Sequence, residues 1–157
     1  MKVAITGHRP ENILDEKWTR EAMGLGLQEM GASLVIQGMA AGVDLWSAAS
    51  AWKLGLPYVA ARPWATHTAG RANNVAYEWV LKNAQEVVNI SEATSYPGPQ
   101  IYKTRNIYMV NHGDAVLAVW NGLTHGGTYH AVQYAIQAGK RIYRINPATK
   151  EVEGWVN

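Results

Sequence analysis

The chain has 157 residues, 48% of them apolar, which is enough for one domain to bury a core without staples, and its lack of cysteine excludes a disulfide scaffold, a thiol nucleophile and a thiolate metal site. With 14 Lys and Arg against 12 Asp and Glu, the formal charge of +2 is too small to be an electrostatic footprint for duplex nucleic acid. No apolar run approaches the ~20 residues that span a bilayer, and the first residues enter a strand pattern rather than a signal peptide.

The expectation is therefore a single domain over residues 1–157, in the cytoplasm, with neither membrane nor nucleic acid as partner. Charged residues make up only 17%, against roughly 25% in an average globular protein. That thin cover points to surface buried against another copy, so a homo-oligomer is expected. Seven Trp, eight Tyr and no Phe mean that every aromatic ring carries a polar handle in need of a partner.

Apolar runs of strand length alternate with stretches of helical period, the pattern of repeated βα units. The class is α/β, a Rossmann-like three-layer sandwich with a mainly parallel sheet. In such sheets ligands bind beyond the carboxyl ends of the strands, so the segment after each strand is where chemistry is sought.

The first strand is predicted over residues 2–6 and leads into Thr6-Gly7-His8-Arg9-Pro10. A glycine that brings the backbone close and an Arg with a planar donor fork suit a phosphate or carboxylate there, and a turn with an exposed Arg is the plainer alternative. A helix over residues 15–30 ends at Gly31, and the second strand covers residues 33–37. Gly38-Met39-Ala40-Ala41-Gly42-Val43-Asp44 then opens a helix over residues 43–54. Gly38, Ala40 and Gly42 would let a ligand approach the free N–H groups of the first turn, and Asp44 reads as a ligand contact or as an acid favoured by the helix dipole.

The third strand, residues 58–62, is followed by Trp64, placed where an aromatic ring can stack on a base. A helix over residues 70–83 carries Glu78, which reads as a surface acid or as a carboxylate approaching the site. The strand at residues 86–90 has no assigned neighbour, and the Pro- and Gly-rich residues 91–100 form a loop. The helix over residues 101–112 carries Arg105 and Met109, four apart on one face, with Asp114 just before the strand at residues 115–120.

After that strand, Asn121-Gly122-Leu123-Thr124-His125-Gly126-Gly127-Thr128 leads into a helix over residues 128–138. It is the best phosphate-loop candidate, with Thr128 as cap or phosphate ligand and Asn121, Gly126 and Gly127 beside it. It lacks the Lys and spacing of an NTP-hydrolysing P-loop, and the first turn lacks a dinucleotide fingerprint. A last parallel strand is predicted at residues 141–145, beside the strand at 115–120, which in turn neighbours the first. Residues 152–156 read as an edge strand or an exposed end. His67 and His112 have no partner at metal-ligand spacing, so both read as surface or loop residues and no metal is predicted.

In this order the segments resemble the SLOG superfamily, which unites DNA-processing protein A, the LOG phosphoribohydrolases and the YpsA-like proteins. Val3-Ala4-Ile5-Thr6-Gly7-His8-Arg9-Pro10 is similar to the YpsA-like start, and the run from Val35 to Ala49 resembles the superfamily's glycine-rich strand and helix. Arg105, Met109 and Asp114 are similar in spacing to the Arg, Met and Asp of the LOG enzymes, and Gly126-Gly127-Thr128 matches the end of their glycine motif.

The resemblance implies a ligand that is a nucleotide or a ribose-phosphate compound, of ADP-ribose or NAD type, held by a sensor or binding protein with no cofactor. It implies as the alternative an N-glycosidic hydrolase with Arg105 as a catalytic residue. The LOG catalytic Glu is replaced by His130, so His130 and Glu78 stand as the candidates for its work, for which a carboxylate is the natural choice. Single-stranded DNA binding is a third, weaker implication.

Overall fold

A computed structural model describes residues 1–156. Its strands are β1 (Lys2–Gly7), β2 (Leu34–Gln37), β3 (Tyr58–Trp64), β4 (Glu86–Ser91), β5 (Ala115–Val119), β6 (Arg141–Asn146) and β7 (Glu151–Val156). The helices between them are α1 (Glu16–Glu29), α2 (Val43–Lys53), α3 (Asn74–Asn83), α4 (Gln100–His112) and α5 (Gly127–Gln137). The sheet runs β4-β3-β2-β1-β5-β6-β7, parallel throughout except for β7, which lies antiparallel on β6.

The two-residue period of the strands sorts the core into two layers. Val3 and Ile5 join Met23 and Leu27 of α1, Leu45 and Ala48 of α2 and Tyr77 of α3 on one face. Ala4, Val116 and Ala118 join Met109 and Val110 of α4 and Val132 and Ala135 of α5 on the other. Strands covered on both faces must be apolar at every position, which is why β5, buried along its whole length, reads as an unbroken run. At the sheet edge β4 is only partly buried, and it pairs outside β3 with Trp64 opposite Ser91. The residues left open at the carboxyl end form a true strand, β7.

Chain order reverses beside β1, which has β2 on one side and β5 on the other. The connection leaving β1 passes to the α1 face and that leaving β5 to the α5 face, so the two loops diverge and leave a crevice at the carboxyl ends.

Candidate functional site

The crevice is a cleft of about 600 Å³ lined from β1, the β2–α2 and β3–α3 loops, α4 and the β5–α5 loop. The end of β1 supplies Thr6, Gly7, His8 and Arg9. Gly7 is required because α2 starts against it: a Cβ there would run into the side chain of Val43. The Nε2 of His8 accepts the backbone N–H of Asn121 at 3.1 Å, which ties the loops after β1 and β5 together and leaves the ring proton on Nδ1. Burial holds the His8 pKa below its ordinary value, so the ring is neutral near pH 7.

The β2–α2 loop is bent by Met39, a buried residue with φ of 65°, a conformation rare for a bulky side chain. Gln37 holds it there: its Oε1 accepts the Met39 N–H at 2.8 Å. The bend carries Ala40 and Ala41 to the cleft, and Asp44 Oδ2 accepts the Ala40 N–H at 3.1 Å. Asp44 is 5% exposed and is the only carboxylate among the described residues that line the cleft. Burial raises its pKa, opposed by the charge of Arg105 and by backbone N–H groups of Ala40 and Gly38.

From α4, Tyr102, Arg105, Asn106 and Met109 face the cleft together, at the spacing of one helix face. Arg105 lies across Gly38, where a Cβ would come within 2.7 Å of its Nε, and its Nη1 donates to the Gly38 carbonyl at 3.0 Å. Its Nη2 donates to Asn106 Oδ1 at 3.2 Å, while Nε–H is buried without a partner among the described residues. Burial lowers the Arg105 pKa against the pull of Asp44, but an arginine stays charged at any ordinary pH. Asn106 Nδ2 in turn donates to the Gly127 carbonyl at 3.2 Å, which sets the guanidinium beside the start of α5.

That start is open. No side chain caps the N-terminus of α5, Gly126 takes a φ of 91°, and a Cβ on Gly127 would meet nothing within 4 Å. Unpaired N–H groups at a helix start together with a buried guanidinium form a site for an anion.

Of the residues singled out from the sequence, Gly7, His8, Arg9, Ala40, Asp44, Arg105, Gly126, Gly127 and Thr128 line the cleft. Gly38, Gly42 and Asn121 stand behind it: Gly38 as the bed of Arg105, Gly42 packed on the His8 carbonyl and Pro10, Asn121 as the partner of His8. His130 is not at the surface of the cleft and meets it through Asn106, whose Nδ2 lies 3.4 Å from its Nδ1. Glu78 is exposed on α3, away from the lining residues. Trp64 also stands behind the wall, edge-on to His67 at 4.7 Å and to Tyr102 at 6.1 Å, and these two rings face the cleft in its place. Trp120 packs with Tyr129 and under Arg144. Asp114 takes the Lys2 N–H at the opposite end of β1, a structural role.

Of the two readings offered for His67, surface or loop, the structure bears out the loop, but a buried one: the residue is 6% exposed. Its signal is tertiary, a hydrogen bond of 2.8 Å between Nδ1 and the Tyr77 hydroxyl on α3. Tyr102 and Asn106 were findable, since with Arg105 and Met109 they complete the i, i+3, i+4, i+7 pattern of a face that turns polar groups toward the sheet. Among the described residues no helix is long and apolar enough to cross a membrane.

The profile of the family described as DNA recombination-mediator protein A matches residues 1–155. Among curated proteins, the chain is similar to the uncharacterized SPbeta prophage-derived protein YoqJ of Bacillus subtilis, 32% identical over 82 residues that cover 45% of this chain and 47% of that one. Among solved structures it is similar to DNA processing protein A of Streptococcus pneumoniae, at a TM-score of 0.73 and 17% identity over 92% of this chain and 50% of that one. It is also similar to the molybdenum cofactor binding protein of Rippkaea orientalis, at a TM-score of 0.61 and 18% identity over 91% of this chain and 74% of the other. The matches to the curated relative and to the pneumococcal protein thus span about half the length of each.

Proposed function

As a member of the DNA recombination-mediator protein A family with the SLOG fold, the chain carries a cleft that we propose binds a nucleotide or ribose-phosphate ligand, as a sensor or binding protein of the YpsA-like branch. The observation that carries this reading is the buried Arg105 fork fixed beside the uncapped start of α5, with open space over Gly127. Phosphate sits where the guanidinium and the first amides of α5 converge, and Arg9 and Thr128 lie within the same cleft. A volume of about 600 Å³ suits a nucleotide, within the range of small-molecule sites. The Rippkaea protein is a molybdenum cofactor binding protein, which supports a small-molecule ligand for this fold.

A second reading, hydrolysis of an N-glycosidic bond, is favoured by one observation, Asp44. Water would attack the anomeric carbon while the base leaves with a proton, and a carboxyl group with a raised pKa at the cleft can exchange that proton. In that reading Arg105 stabilises charge at the phosphate, and Asp44 takes the work assigned from the sequence to His130 or Glu78.

Incubation with AMP, NAD and ADP-ribose, followed by thermal melting and by chromatography of released base, separates the two. Binding alone raises Tm with no free base at high protein concentration, the expected outcome. Base release that disappears in Asp44→Asn establishes the hydrolase instead. A melting curve unmoved by all three removes the nucleotide reading. The single-domain organisation and the homo-oligomer belong to the same proposal; exposed Trp52 and Trp79, packed edge to face at 5.5 Å, supply apolar surface for a second copy.

A further inference from the structure

A phosphate site does not account for the part of the cleft wall that the β3–α3 loop builds, where His67 is a lining residue. We propose that His67 reads the nucleobase, donating from Nε2 to an acceptor on the ring edge, with Tyr77 and Arg62 as the positioning residues that keep its proton there. The inference rests on the nucleotide reading and deepens it, because it assigns the part of the ligand that phosphate contacts cannot distinguish.

The proton's place follows from hydrogen-bond satisfaction. Tyr77 is 1% exposed, and its oxygen accepts Nε–H of Arg62 at 3.1 Å. Its own O–H then has one acceptor within reach among the described residues, Nδ1 of His67 at 2.8 Å. The reverse arrangement, with Nδ1–H donating to the phenol, would leave a buried O–H unpaired, which native structures avoid. Nδ1 is therefore the acceptor and Nε2 carries the hydrogen. Nε2 has no partner among the described residues, so its donor is free for a ligand.

The ring is held by the Tyr77 hydroxyl at Nδ1 and by Trp64, which packs edge-on against it, while Arg62 fixes the backbone beneath, donating from Nη2 at 2.9 Å and from Nε at 3.3 Å to the His67 carbonyl. Burial, reinforced by Arg105, Arg62 and Arg9, pushes the His67 pKa down to about 4, so the group at neutral pH is a neutral single donor rather than a cation. It suits a ring nitrogen or carbonyl and brings no positive charge to a phosphate.

Tyr102 supplies the stacking surface. The residue lines the cleft, with the Arg105 guanidinium 5.6 Å from the ring centroid and the rings of Trp64 and Tyr96 at 6.1 and 6.4 Å. Arg105 lies against Tyr102, and Trp64 links Tyr102 to His67, so one stretch of wall offers a guanidinium, an aromatic ring and a neutral N–H donor. The ligand class is a nucleoside phosphate whose base presents an unprotonated nitrogen or a carbonyl.

Calorimetric titration of AMP, ribose 5-phosphate and inorganic phosphate into the wild-type chain, His67→Ala and Tyr77→Phe tests the assignment. Wild type should bind AMP more tightly than ribose 5-phosphate. Either variant should weaken AMP by roughly five- to tenfold, the worth of one hydrogen bond, and leave the other two probes unchanged. Equal weakening of all three probes, or AMP unchanged in both variants, overturns the base-reading role while wild-type phosphate binding leaves the nucleotide reading intact. If none of the probes binds the wild type, both fall. Nitrogen NMR of the free wild-type protein adds a readout independent of the variants' stability: the spectrum should show the Nε2–H form of His67, and an Nδ1–H form overturns the proposal.

Discussion

A guanidinium laid over a glycine is a structural member, and in the proposed reading a binding group as well, so Arg105 has to be tested as both. Replacing it with Ala strips the Gly38 carbonyl of its donor and leaves Asp44 buried without the nearby cation that offsets its burial. Loss of such a contact costs about 1–3 kcal/mol, so Arg105→Ala should lower the denaturant midpoint as well as weaken AMP by tenfold or more. Arg105→Lys restores the charge but not the planar fork, and should recover stability better than affinity. Denaturation and titration run on the two variants side by side show the split; equal recovery of both would reduce Arg105 to a charge. His67 predicts the pH response of the fold. In the unfolded chain its ring protonates near the ordinary 6.5, but in the folded protein only near 4. The unfolded state therefore binds more protons between those values, and stability must fall as pH is lowered through that window. His8 and His130, also lowered by burial, act with the same sign, and Asp44, raised, acts against them at the acid end. Thermal melts from pH 7 to pH 4 should show Tm dropping, with a shallower slope in His67→Gln.

At the level of elements, the start of α5 separates ligand approach from packing. Gly7 and Gly38 are filled against by Val43 and Arg105, so a side chain at either disturbs the fold, but Gly127 faces open space. Gly127→Val should keep the melting temperature within about 1–2 °C, as surface changes do, and abolish binding of AMP and ADP-ribose by covering the amides. Normal binding by a folded Gly127→Val protein would move the phosphate elsewhere. The loop was visible in the sequence because glycines cluster where a strand hands over to a helix, and the inner strands β1, β2 and β5 because burial on both faces writes a nearly continuous apolar run. Where those signals fail, the reason is physical. The partner of β4 is chosen by the edge of β3, not by anything in residues 86–91. Trp64, read from the sequence as following the third strand, is instead the last residue of β3, and its ring meets Tyr96 and Tyr102 from a distant loop and helix. His67 acquires its character from Tyr77, ten residues on, which no local period announces.

On the scale of the whole molecule, the question is whether the carboxyl edge of the sheet serves a polymer or a small ligand. The family and the pneumococcal structure carry DNA in their names, and the shared fold leaves a DNA reading open for this chain. Single-stranded DNA is held by a groove that tracks many phosphates with cations, and its affinity falls steeply with salt as counterions return. Here the net charge is +2, and among the cleft-lining residues only Arg9 and Arg105 are arginine or lysine, facing one buried Asp44. The cleft is a concave volume rather than a stripe, sized for one nucleotide. An oligothymidylate of about 20 nucleotides should therefore bind weakly and be lost between about 50 and 200 mM salt, while AMP affinity changes little by comparison. AMP should also displace what oligonucleotide binds at low salt, because in the proposed reading a phosphate that enters the cleft uses the same Arg105 and α5 start. Fluorescence anisotropy of a labelled oligonucleotide across that salt range, with AMP as competitor, gives the answer. Tight binding that survives 200 mM salt and ignores AMP would place a DNA surface outside the cleft.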